Sequence, residues 1–243
     1  MAGLSVHLGG RTVKVVDLTL PVGVGTPVFP GDPEISRDVV SSIQETGYRH
    51  YIHALGDHVF VPHADAPNHQ NPDMPDHGVE AWGPEYEFNQ AILIDLEGAD
   101  EAEEIDSIRL LRTVRAAHLE PFSGALQRVT AVLVRTGAEA WRLSGRPFSP
   151  RVIPGFTAEA GAFLAGFEDL RVVGTDSLTV DVVNPDSPVH TVHRALKHKL
   201  IVESLVHLDD IPAENRNRFL LQTALVKILG ATGCPVVARA WLS

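Results

Sequence analysis

Cysteine is almost absent from this chain: Cys234 stands alone among 243 residues. A single thiol excludes an internal disulfide framework and makes a reducing, cytoplasmic compartment the simplest expectation. Flanked by Gly233 and Pro235, it reads as a small buried residue in a turn-like setting rather than as a nucleophile. Basic residues are scarce too, 20 Lys and Arg against 31 Asp and Glu, for a formal net charge of −11. Phosphate backbones are held by lysine and arginine footprints, so nucleic acid is not an expected partner. No run of like charge points to a hidden basic patch. Long apolar runs are also missing. None reaches ~18 residues and the N-terminus is mixed, so neither a membrane span nor a signal peptide is expected. No internal repeat or boundary divides the sequence, and 44% hydrophobic residues can bury a sizeable core, so one domain over residues 1–243 is expected.

What the chain has in quantity is histidine, twelve in all. Three of them, His58, His63 and His69, fall with Asp65 inside a stretch of twelve residues. Pro62 and Pro67 push their preceding residues out of the α region, so this stretch is expected to be extended rather than helical. In an extended chain i and i+2 share a face, which puts His63 and Asp65 side by side. Imidazole and carboxylate are the usual ligands of zinc and acceptable ones for manganese; the plainer reading is a buried His-Asp hydrogen-bond pair. His69, beyond Pro67 where the strand must end, is placed to act over such an ion as general base. By the same alternation His58 faces away from His63 and reaches the same ion only if a bulge shifts the strand by one residue.

Along the rest of the chain, residues 12–18 alternate as a strand before a loop broken by Pro21, Gly23, Gly25, Pro27, Pro30, Gly31 and Pro33. Phe29, held among those prolines, reads as a pocket wall. One or two strands are expected within residues 34–61, with Tyr48, His50, Tyr51 and His53 as a partly exposed cluster or a cleft lining. Residues 71–78 are too rich in breakers for regular structure and read as a loop that brings Met74, His77 or Trp82 over a substrate. Residues 88–96 form a strand, and the acidic run 97–106 reads as the solvated start of a helix over 107–118. Further strands are expected at 131–136 and 171–176, with a loop carrying Trp141, and a helix at 157–167 with Thr157 as N-cap. A helix starts within residues 188–196, placing His190 and His193 on one face. In the apolar strand 200–205 the embedded Glu203 is costly unless paired or metal-bound. A closing hairpin, residues 219–242, turns at 230–233.

The string His63-x-Asp65-Ala66-Pro67-x-His69 resembles the end of the His-x-Gly-Thr-His-x-Asp-x-Pro-x-His signature of the cyclase family, which includes bacterial kynurenine formamidase, isatin hydrolase and cyclase-like proteins of polyketide clusters. The resemblance extends to Asp17-Leu18-Thr19-Leu20, to the proline-rich loop, to Val132–Gly137 and to Asp176–Asp181, and so runs from about Val13 to Leu242. It implies an α/β fold whose mixed, largely antiparallel sheet curls into a barrel-like layer with helices outside. It also implies a homo-oligomer, commonly a dimer, acting on a small-molecule substrate. The implied divalent metal site comprises His63, Asp65, Glu203 and a helix histidine, with His193 favoured and His190 in reserve. His69 and Asp65 are the implied catalytic pair, and Phe29, His58, Phe60 and His190 the implied pocket. One departure stands out: the family's first histidine falls on Val59 here, and its Gly-Thr on Val61-Pro62. Three functions follow as expectations: a metal-dependent hydrolase of an amide, formamide or lactone in a small cyclic or aromatic substrate; a cyclase or dehydratase of a biosynthetic intermediate, without metal; or a non-catalytic small-molecule binder.

Overall fold

The structure is a computed structural model that describes residues 4–29, 31–146, 149, 152–183 and 190–242. Its main sheet has nine strands: β1 (Leu4–Leu8), β2 (Arg11–Asp17), β3 (His63–Asp65), β4 (Phe88–Asp95), β5 (Ala131–Arg135), β6 (Val172–Thr175), β7 (Leu200–Glu203), β8 (Phe219–Leu225) and β9 (Gly233–Leu242). They lie in the order β1-β2-β9-β8-β4-β5-β6-β7-β3, and β3 returns to pair with β9. Seven strands, β3 to β9, therefore close into a barrel. Strands β4 to β7 run parallel, and the remaining pairings are antiparallel, which agrees with the expected mixed, largely antiparallel barrel.

Every residue of β5 is buried, as parallel strands covered on both faces require. Alternation sends Ala91, Leu93, Leu133, Val172, Val202, Leu221 and Ala238 into the barrel. Ile92, Ile94, Val132, Val134, Val173 and Ile201 face outward beneath the helical layer. Four helices matter for the site: α1 (Pro67–Gln70), α2 (Ala138–Leu143), α3 (Ala158–Ala165) and α4 (Thr191–Ala195). Thr157 caps α3 as expected, its hydroxyl accepting from the Ala160 N–H at 3.2 Å. Gly161 brings α4 against α3: a Cβ there would sit 3.1 Å from Val192 Cγ1. Among the described residues no helix is long and apolar enough to cross a membrane.

The loops at the C-terminal ends of the parallel strands are tied together by Asp176, whose buried carboxylate accepts from Thr136 N (2.8 Å), Thr136 Oγ1 (2.7 Å), Gly137 N (2.9 Å) and Glu139 N (3.2 Å). Arg142, in α2, donates to the carbonyls of Asp176 and Ser204. Ser204 follows Glu203 directly and has a positive φ of 65°, a conformation that side-chain-bearing residues adopt only when their surroundings hold them there. The turn that aims Glu203 is thus pinned from α2.

Several expectations are corrected. The helix over 107–118 is absent: strands Glu103–Ile105 and Ile108–Leu110 form a hairpin. Asp106 and Ser107 take consecutive positive φ of 50° and 65°, the signature of a tight hairpin turn, and only Ala116–Leu119 is helical. The stretch 58–69 is not extended throughout. Residues 57–62 are bent, β3 is three residues long, and Pro67 opens α1 at its first position, where its missing N–H costs nothing. Trp141 lies in α2 rather than a loop. Cys234 is fully buried in β9 rather than in a turn, and burial pushes its thiol pKa up. Strands Ser36–Ser41 and His50–Ala54 form a separate ribbon. Pro30, and Pro188 and Val189 at the expected start of the helix bearing His193, lie outside the described residues.

Replacing Asp176 with alanine leaves four donors in the interior without their acceptor. The expected loss is about 3 kcal/mol of stability, read in urea as a lower midpoint with an unchanged slope; an unmoved midpoint would show that the carboxylate is not what ties these loops.

Candidate active site

The barrel register assembles the site. His63 pairs with Glu203 and Asp65 with Ile201 across β3 and β7, so His63, Asp65 and Glu203 share the outward face that Ile201 also occupies. The site therefore lies on the outer wall of the barrel, beside α1 and α4, and not in its lumen. His63 Nε2 is 3.6 Å from Asp65 Oδ1 and 3.6 Å from Glu203 Oε2, and each side chain is 3% exposed or less. His63 Nδ1 donates to the Val61 carbonyl at 3.0 Å, which leaves the Nε2 lone pair directed at two carboxylates. Three electron-rich donors buried against one another fit a divalent cation, and their atoms all lie within 4.8 Å of one another.

His193 closes the group from α4. Its Nε2 donates to Asp65 Oδ2 at 2.8 Å and sits 3.4 Å from Glu203 Oε1, while Nδ1 is held by Asp181. Asp181 also accepts the Val192 N–H at 2.8 Å, so it caps α4 and orients the imidazole at once. Burial opposes charge on His193, yet its bonds to Asp181 and Asp65 hold it well above the usual histidine range. Ligation through Nε2 requires release of that proton, as metal binding generally does. Burial would raise the Asp65 carboxyl, but hydrogen bonds from His193 and His58 hold it well below the usual range. Glu203 is pushed up, first by burial and then by the charge of Asp65; the Val180 N–H donates to its Oε1 at 2.7 Å.

His58 reaches the site without a strand bulge, because the bends at 57–62 swing it round. Its Nδ1 donates to Asp65 Oδ1 at 2.9 Å, its Nε2 lies 3.0 Å from Thr232 Oγ1, and Thr232 in turn donates to Asp57 Oδ2 at 2.9 Å. Gly233 makes the room: a Cβ there would stand 2.5 Å from His58 Cε1. His58 joins Asp65 and His69 in a second donor group, distinct from that of His63, Asp65 and Glu203, and a third comprises Asp181, His190 and His193. His69, on α1, lies against the His58 ring with centroids 3.8 Å apart, and Gln70 Nε2 donates to its Nε2 at 2.7 Å. Burial pushes its pKa down to about 4.

Above these groups opens a cavity of about 340 Å³, lined by Phe29, Asp32, Gln70, Leu178, Thr179 and His190 besides the residues just described. Phe29, His58 and His190 are among its lining residues. Phe60 does not line the cavity; it packs edge-on behind Phe29 with centroids 5.1 Å apart. Met74, His77 and Trp82 border a different cavity of about 250 Å³, and His50 and His53 are exposed on the ribbon. Sequence reasoning gave no site role to Asp57, Gln70, Asp181 or Thr232. Asp57 is tied to the site through Thr232, 175 residues away, with no local signal; for Asp181 the cue was the resemblance of Asp176–Asp181 to a family segment.

The family model described as "Putative cyclase" matches residues 16–182, more than half of the chain. Cyclase-like protein 2 of Oryza sativa subsp. japonica is 27% identical over 234 residues, covering 94% of this chain and 78% of that protein. Kynurenine formamidase of Bacillus anthracis is 25% identical over 228 residues, covering 94% and 97%. Isatin hydrolase A from Labrenzia aggregata, solved bound to benzyl benzoate, superposes with a TM-score of 0.74 at 23% identity over 95% of this chain and 94% of that one, a likeness of fold. The chain is therefore an enzyme of the cyclase family, built on the fold of its isatin hydrolase.

Proposed function

We propose that the chain is a metal-dependent hydrolase of an amide, formamide or lactone bond in a small cyclic or aromatic substrate. The observation that carries this reading is the buried convergence of His63, Asp65 and Glu203 at the base of a cavity that also holds the neutral imidazole of His69. These three residues, with His193 beside them, would hold zinc or manganese, which when bound supplies Lewis-acid polarisation of a carbonyl and a lowered pKa for water. The chain's own groups do the rest. With its Nε2 lone pair freed from the Gln70 amide, His69 takes the proton from the attacking water and returns it to the leaving nitrogen or oxygen. Phe29 and Leu178 form an apolar wall that seats the ring and excludes bulk water, and Asp181 keeps His193 in one orientation.

A second reading, a cyclase or dehydratase working without metal, draws on the hydrogen-bonded pair His58 and Asp65, standing next to the position where the family signature has its first histidine. Intramolecular ring closure needs the same base and the same cavity. Metal content and turnover together separate the two.

The proposal also includes a homodimer. The ribbon of Ser36–Ser41 and His50–Ala54 exposes Val39 (66%) on one face and Ile52 (55%) on the other, with Tyr48 (59%) in the connection between its strands, and a two-stranded ribbon is marginal by itself. A second copy covering it supplies the missing apolar burial.

Protein purified without chelator is expected to carry zinc or manganese by elemental mass spectrometry, and Glu203→Gln to bind it about tenfold or more weakly. His69→Ala is expected to keep the metal and lose about 10²–10⁴-fold in kcat; full hydrolysis of such substrates by metal-free protein would sink the metal dependence. Because burial holds His69 deprotonated down to about pH 4, an acid limb in kcat/KM near neutral pH would come from the metal-holding groups, His193 among them, and His69→Ala should leave the position of that limb unchanged; a limb that moves with the substitution would show that His69 titrates there. Light scattering should give twice the 26.3 kDa chain mass, and Val39→Glu with Ile52→Glu should give the monomer; wild type monomeric at all concentrations would end the dimer proposal.

A further inference from the structure

The cavity has a charge preference written into its mouth. Among the described residues no lysine or arginine lines it, so no permanently charged cationic side chain stands ready for a substrate carboxylate. The one carboxylate on its wall that belongs to none of the three donor groups is Asp32. Asp32 is exposed and has no ion-pair partner among the described residues, and its N–H closes a tight turn onto the Phe29 carbonyl at 3.0 Å. An aromatic residue and a carboxylate residue, three positions apart, thus line the same cavity. The ring is braced from behind by buried Phe60 at 80°, so it is held in place before any ligand arrives. An aromatic ring and an anion on the wall of one cavity suit an organic cation, because the ring quadrupole and the carboxylate act in the same direction.

We propose that Phe29 and Asp32 form a subsite for a positively charged nitrogen substituent, so that the preferred substrate carries an ammonium or other cationic group at the cavity mouth and not a carboxylate there. The inference rests on the cavity being the substrate site, as proposed above, and narrows the substrate class by charge. Asp32 is a specificity residue in this scheme: it touches the substituent, not the bond that is cleaved. A carboxylate brought to the same place meets Asp32 with no lysine or arginine on the cavity wall beside it to offset the repulsion.

Benzyltrimethylammonium is the probe, since a quaternary nitrogen neither loses a proton nor ligates a metal, with benzyl alcohol as the neutral comparison. Isothermal titration of the purified, metal-loaded protein should show the cation binding about five- to tenfold more tightly than the alcohol. Asp32→Asn should abolish that difference while changing the alcohol's Kd less than about twofold, and Phe29→Leu should weaken both ligands. A wild-type protein that prefers the alcohol, or an Asp32→Asn variant that still prefers the cation by the full margin, would overturn the subsite. The hydrolase reading fails separately: cation binding that depends on Asp32, in a protein that turns over no amide, formamide or lactone, keeps the subsite and discards the reaction.

Discussion

Two buried carboxylates and a histidine lone pair face one another in the wall of this barrel, and the local structure can be understood as the means of tolerating that arrangement. Asp65 and Glu203 sit on adjacent strands with His63 between them, where burial penalises charge and each anion raises the cost of the other. The compensation visible in the structure comes from three sides. His193 bridges both carboxylates from α4, the Val180 N–H reaches Glu203, and His58 reaches Asp65. Remove those partners and the cluster becomes an uncompensated charge in the interior. A divalent cation, as in the proposed function, would complete the balance more directly than any of them.

The supports are themselves supported. Asp181 orients His193 and caps its helix; Thr232 and Asp57 hold His58; Asp176 and Arg142 fix the turn after Glu203. Each of these groups is buried or half-buried and fastens a residue that is in contact with the cluster or adjacent to it in the chain. Precision at a site of this kind depends on such outer partners as much as on the donors, and here they come from four separate stretches of the chain. The cavity above adds apolar walls and His69, whose neutrality follows from its burial and its cationic neighbours.

Much of this was legible from residues alone. Alternation placed His63 and Asp65 on one face because β3, though short, is a true strand. A carboxylate in the apolar string around Glu203 announced a partner, because an unpaired one would not survive burial. The helix at 157–167 was readable from its cap, and the strands from their apolar runs. What failed did so for identifiable reasons. The acidic run before residue 107 imitates a helix start, but Asp106 and Ser107 adopt left-handed conformations that propensity does not announce. The side on which His58 lies was misjudged because period-two reasoning needs a strand, and residues 57–62 bend. Phe60 was placed in the pocket when it only braces the residue that is. The contacts of Asp57 and Thr232 join positions about 175 residues apart, beyond any local pattern.

Strand β9 carries a consequence of its own. Its first residues pair with β3 and its last with β2, while its other edge holds β8. Gly233 and Thr232, which give His58 its space and its hydrogen bond, are thus the same residues that begin the seam of the barrel. Ring closure and site assembly are one event, and during vectorial synthesis a nascent chain must wait for its final hairpin before the seat of His58 exists. Contacts of such long sequence separation are formed late and at high entropic cost, which leaves the unsealed edge of β3, with its histidine and aspartate, exposed to wrong partners until the last strand arrives.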